Sequence, residues 1–261
     1  MDLFKGMGKF GLEHLEGISA KAEPEKKIEK KVKVEVTLQE KIDDALYNKK
    51  VTCPICDTNF ITVSIKSNKN RFIRTDDDLK PYYTLVDPIL YDVIHCACGY
   101  TALSSTFMHT LPTQRKMIRE QICASFQPMY LNYERTVEES IELYRLALLV
   151  CVIKKGKDLE KAILCLRLAW LCRDVNDKEN ENMYLENALS FFETSIEKDT
   201  YPALGVDFHK ASYLIAVLAY ECGQYEKSLR TLGRVIAERN VNAKIKDRLL
   251  DFKPKVLAKL K

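Results

Sequence analysis

Two cysteine pairs constrain this chain more than any other feature. Cys53-Pro54-Ile55-Cys56 is followed, after a short strand-rich stretch, by Cys96-Ala97-Cys98-Gly99. Two residues between thiolates let both sulfurs face one ion while the intervening amides turn toward them. Asp57 follows where a glycine is common, and Asp is among the few residues that tolerate a left-handed backbone. The second pair has one residue between its cysteines, so two ligand sets stay open. Cys96 and Cys98 can bind together, because residues two apart on an extended segment face the same side. Alternatively His95 and Cys98 form the regular knuckle and Cys96 is left over. The first set is preferred, since thiolates are the commoner structural ligands.

Four such ligands suit tetrahedral zinc in a structural role, with iron as the lesser alternative. A catalytic zinc keeps one position open, which four protein ligands would close. A redox Cys-x-x-Cys belongs between a strand and a helix of a βαβ unit, and no such unit is visible here.

The stretch around the cysteines is too short and too polar for a good core of its own, a situation in which a metal helps. Thr37-x-x-Glu40 predicts a capped helix from Leu38 to about Asn48, with Ile42 and Leu46 inward. Segments 60–65, 71–74 and 91–96 read as strands, with a turn at Asp76-Asp77-Asp78. From residue 113 the pattern turns helical, near 113–125, 136–154, 158–174, 177–197, 206–222, 224–239 and 242–259. The fold class expected is α+β, mainly α. Residues 1–36 read as a tail and linker, 37–110 as a zinc-ribbon-like β module, and 111–261 as a helical domain. Residues 1–18 have loosely helical apolar spacing weakened by glycines, which fits a frayed terminus or a short docking peptide.

Composition narrows the function classes. The net charge is +4, from 41 basic and 37 acidic residues among 261, too even to argue for nucleic acid. Lys66, Lys69, Arg71 and Arg74 could face a nucleic acid, but three aspartates follow at once, and a solvated face is the simpler reading. No apolar run reaches the roughly 18 residues of a membrane span, and no secretory leader is seen, so a cytoplasmic protein is expected. The nine cysteines are an odd set; Cys123, Cys151, Cys165, Cys172 and Cys222 read as small core residues. Trp170, Tyr184, Phe191 and Phe192 read as core too.

The helical half carries a repeat signal. Ala216 and Ala219 precede Gly223, then Tyr225, Ser228, Leu232 and Val235 follow, as in a tetratricopeptide unit. Ala162, Leu166 and Ala169 echo it, as do Ala188, Phe192 and Ser195. Stacked helix pairs of this kind bind protein on a concave face. No phosphate loop, nucleophile motif or His-Glu-x-x-His occurs, and His109 and His209 stand apart. The expected function is therefore an adaptor or scaffold with a protein partner. A nucleic-acid-binding ribbon is the first alternative and a metal-dependent enzyme the second.

The order of features resembles a bacterial family, domain of unknown function 2225. It is carried by Cys53-Pro-x-Cys56, Arg71 and Arg74 with Asp76 and Asp78, Tyr83, Pro88, Tyr91, and Cys98-Gly99-Tyr100. Leu166 to Arg173 and Tyr213-Leu214-Ile215 extend it, so that it runs from about residue 50 to the C-terminus. The resemblance implies a zinc-ribbon-like segment followed by tetratricopeptide-like helices, and no particular activity. This chain departs from the pattern at the second knuckle, where Cys-x-x-Cys-Gly-Tyr is usual and His95 holds the first position. It departs again at Thr101, where a small residue is common.

Overall fold

The computed structural model describes residues 37–261. The segment 1–18, read above as a frayed end or docking peptide, lies outside the described residues, as does the rest of the tail. Residues 38–261 form one compact unit.

Helix α1 (Leu38–Ala45) is shorter than the sequence predicts, because the chain turns into a strand at Leu46. Strand β1 (Leu46–Thr52) pairs antiparallel with β2 (Asn59–Ile65), from Leu46 opposite Ile65 to Thr52 opposite Asn59. β1 carries no apolar alternation; Tyr47, Asn48, Lys49 and Lys50 are all exposed, so its pairing with β2 defines it. Strand β3 (Phe72–Thr75) pairs with β4 (Pro81–Tyr83) across the aspartate turn. The strand expected from Tyr91 begins only at Val93. Pro88–Tyr91 instead forms a 3-10 turn, capped by the Asp87 carboxylate accepting from the Ile89 N–H. Strands β5 (Val93–His95) and β6 (Thr101–Leu103) then form a third small hairpin.

The predicted helices all form. They are α2 (Pro112–Ile118), α3 (Val137–Ile153), α4 (Asp158–Asp174), α5 (Lys178–Lys198), α6 (Phe208–Glu221), α7 (Tyr225–Ala237) and α8 (Ala243–Lys259). α2 runs on into a π-helical turn, Arg119–Cys123. Thr136 and Glu139 make a capping box that starts α3, and Asp177 and Asp207 cap α5 and α6. Gly223, at φ +74°, turns the chain between α6 and α7, where the Ser228 hydroxyl donates to the Ala216 carbonyl at 2.6 Å. From α3 to α8, each helix packs on its neighbour in the chain.

The strand segment and the helices share their interior. The largest apolar core joins Ile89, Val93 and Leu103 to Tyr144, Leu166, Trp170 and Leu214 of the helices. A smaller core gathers Cys53, Ile55, Ile94, Cys96, Tyr100, Phe107 and Ile118 with Val150 of α3. Trp170 is buried, and its indole N–H donates to Asp78 at 2.8 Å. Cys151, Cys165 and Cys172 are buried, whereas Cys123 and Cys222 are half-buried.

Candidate metal centre

Both knuckles are hairpin turns. The first closes β1 on β2: the Cys53 N–H donates to Thr58 O, and the Asp57 N–H to Cys53 O, both at 3.0 Å. Asp57 sits at φ +61°, the left-handed position its residue type tolerates. The second closes β5 on β6. The Cys96 N–H donates to Tyr100 O at 2.9 Å, and the Gly99 N–H to Cys96 O at 2.8 Å. Cys96 and Cys98 therefore converge around a turn, not along the extended segment assumed from their spacing. Gly99 has φ +92°, and a Cβ there would lie 2.6 Å from Cγ of Phe126. Only glycine fits both demands.

The two turns bring four sulfurs together. Cys53 Sγ and Cys98 Sγ lie 3.7 Å apart, and Cys56 Sγ and Cys96 Sγ 3.6 Å apart. All four lie within 4.8 Å of one another. Metal–sulfur bonds of about 2.3 Å in a tetrahedron put the sulfurs about 3.8 Å apart, so the set fits a tetrahedral ion. A disulfide needs about 2.05 Å, and all nine cysteines are free. Four sulfurs fill a tetrahedron and leave no ligand position open.

The thiols differ in how readily they ionise. A hydrogen bond from the Cys98 thiol holds the Cys53 sulfur down to about 5 against burial, helped by the N–H groups of Cys56 and Ile55. Burial pushes Cys96 up to about 12, and its bond to Cys53 raises Cys98. One thiolate is thus stabilised at the expense of its neighbours, and a divalent ion would offset the charge of several at once.

His95 stands outside this group of sulfurs. Its Nδ1 lies 2.7 Å from the Thr101 hydroxyl, which donates its own proton to Gly99 O at 3.1 Å. Nδ1 must therefore carry the imidazole proton. Nε2 is then a bare acceptor, buried without a partner among the described residues. Thr101 thus fixes the orientation of His95.

Three supporting residues were not legible in the sequence. Arg119, on the π-helical turn, donates from Nε to the Ile55 carbonyl at 2.7 Å and so grips the first knuckle. Phe126 packs on the second, with its ring 5.5 Å from that of His95. Buried Arg135 donates to the carbonyls of Leu90 and Val93, at 3.2 and 2.8 Å, and its own N–H bonds the Tyr91 hydroxyl. Cys123, read as a core residue, packs against the small core beside Cys98.

The basic residues considered for nucleic acid are largely paired. Lys66 and Lys69 both reach Asp44, and Arg74 pairs with Asp76. His209 pairs with Glu238. Among the described residues no helix is long and apolar enough to cross a membrane.

A family model described as an uncharacterised protein conserved in bacteria, domain of unknown function 2225, matches residues 46–256. The chain belongs to this family. The family 2225 match opens at the first residue of β1 and closes within α8, so it takes in both knuckles and the helices. No curated protein and no solved structure matches the chain.

Proposed function

We propose that this protein is a cytoplasmic adaptor or scaffold. A structural zinc would tie the two knuckle hairpins together, in the manner of a zinc ribbon, while the tetratricopeptide-like helices hold a protein partner. The observation that carries this reading is the four-sulfur cage itself. Its sulfur separations match a tetrahedral ion, and its ligand count suits structural use. Iron, which four thiolates also suit, is the lesser alternative. Nine unpaired thiols support a reducing compartment. The mutual pairing of Lys66, Lys69 and Arg74 with aspartates supports protein over nucleic acid as the partner. On α3, Leu149 and Val152 lie three residues apart and are half exposed, an apolar strip open to a partner.

The test is native mass spectrometry of the protein purified from its own cytoplasm, beside Cys98→Ser and Leu149→Ser/Val152→Ser. One zinc should be bound, and lost in Cys98→Ser. A co-purifying protein should be lost in the α3 double variant while zinc remains. A folded, metal-free monomer overturns the zinc reading, and a partner indifferent to α3 moves the binding surface elsewhere.

A further inference from the structure

A cavity of about 460 Å³ lies between the strand segment and the helices, and none of the four clustered cysteines lines it. This volume falls in the range of small-molecule sites, ~300–1,000 Å³. Its wall is mainly apolar, with Leu166 and Trp170 of α4, Phe192 of α5 and Leu214 of α6. Against this wall stand a few charged groups. Lys49, Arg167 and Lys210 line the cavity with Asp92 as the single carboxylate. The lining therefore carries two positive charges more than negative ones.

The two central cations are differently engaged. Arg167 meets Asp92 and the Tyr144 hydroxyl, both through Nη1, and among the described residues Nε and Nη2 donate to no acceptor. A guanidinium offers five donors in a planar fork, and this one has spent one nitrogen. Lys210 has no carboxylate in ion-pair contact among the described residues. Its ammonium donates to the Gly205 carbonyl at 3.1 Å. Burial pulls the Lys210 ammonium below the usual lysine range, opposed by Asp207 and assisted by the nearby charge of Arg167. An incoming anion would meet the free donors of Arg167 and the ammonium of Lys210 at once, whereas a neutral ligand would leave the Lys210 charge without a carboxylate or other anion beside it.

We propose that this cavity is a binding site for a small organic anion, a carboxylate with an apolar body, whose head is held by Arg167 and Lys210 and whose body lies against Leu166, Trp170, Phe192 and Leu214. The proposal is independent of the metal and of the protein partner. It adds to a scaffold the means to sense a metabolite, because the site is walled by both the strand segment and the helices. A ligand seated there contacts both and stabilises their packing by an amount that grows with the logarithm of its concentration above Kd.

The test is isothermal titration of the full-length, metal-loaded protein with decanoate, decanol and decyltrimethylammonium. Decanoate should bind at one site and decanol about tenfold or more weaker, the share of one charge-assisted hydrogen bond, with the cation weaker still. Arg167 neutralises Asp92, so its removal endangers the fold. Lys210→Met is the informative variant, since it breaks no ion pair. It should weaken decanoate about tenfold or more, leave decanol unchanged, and keep the thermal midpoint of the free protein. Leu214→Trp, which fills the cavity, should abolish binding of both. Equal affinity for decanoate and decanol, indifference to Lys210→Met, or no heat from decanoate would each overturn the proposal.

Discussion

Arg119 holds Ile55 by its backbone: the guanidinium Nε donates to the Ile55 carbonyl at 2.7 Å, across 64 residues of chain. Ile55 lies between two of the four clustered cysteines, so this bond fixes the turn from which both sulfurs project. A π-helical turn is a rare local geometry and often sits beside a functional site. Here it places Arg119 over the knuckle. Arg119→Ala should cost about 1 kcal/mol, because the side chain is largely exposed. It should also hasten the passage of a metal loaded into the cage to a chromophoric chelator. An unchanged transfer rate would show that the grip of Arg119 is incidental.

The choice of fourth ligand separates two variants cleanly. Cys96 Sγ lies among the other sulfurs, whereas His95 is tied to Thr101. We expect Cys96→Ser to lose metal and His95→Ala to keep one equivalent, by elemental analysis. The reverse result would move the ligand set to His95.

Gly99 meets two separate constraints, and a double-mutant cycle resolves them. Gly99→Ala forces a Cβ to 2.6 Å from Phe126 and an L-residue to φ +92°. Together these should cost about 2–4 kcal/mol in urea denaturation. Adding Phe126→Ala removes the clash but not the backbone strain, so the pair should be less than additive. Strict additivity would mean that Phe126 gives way freely.

Chelation should act locally. The small core around the knuckles holds Phe107, Tyr100 and Ile118 as well as the cysteines, and Val150 belongs to α3. The largest core and the core between α6 and α8 contain none of the four clustered cysteines. We expect a strong chelator to remove the amide-exchange protection of β1, β2, β5 and β6 while α4 to α7 keep theirs. Loss of helical protection at the same rate would make the metal a keystone of the whole chain.

Cys165 supplies an alkaline signature. Burial alone pushes this thiol up to about 12, from 9.0 when free. Its folded pKa is raised, so the unfolded chain loses the proton first. The contribution of this thiol is full below pH 9 and falls by about 1.4 kcal/mol per unit as pH rises from 9 toward 12, beside those of Cys151, Cys172 and Cys222, which burial raises as well. Cys165→Ala should lessen the slope by about that one share, read as urea midpoints at pH 8, 9 and 10. An unchanged slope would place the alkaline sensitivity elsewhere.

The helices were legible because their causes are local: apolar periodicity, capping at Thr136, Asp177 and Asp207, and breaks such as Gly223. The four cysteines were legible because ligand spacing is a local pattern too. β1 was not, since Tyr47 to Lys50 are polar and exposed and take their conformation from β2. β4 and β6, three residues each, fall below any usable period. Arg119, Phe126 and Arg135 act on partners distant in the chain, and their residue types occur in any surface segment. The cavity was invisible for the same reason, as its basic groups come from β1, α4 and α6.

The separation of the two turns sets an order of events during synthesis. Cys56 and Cys96 are 40 residues apart, and Arg119 comes later still. At roughly 5–20 residues per second, the first thiol pair leaves the ribosome about 2–8 s before the second. During that interval a metal can be held by two sulfurs only, open to exchange and to oxidants. The first thiol pair is therefore open to oxidation before α2 to α8 are made, and damage done then would deprive the knuckles of an ion while the helices still fold.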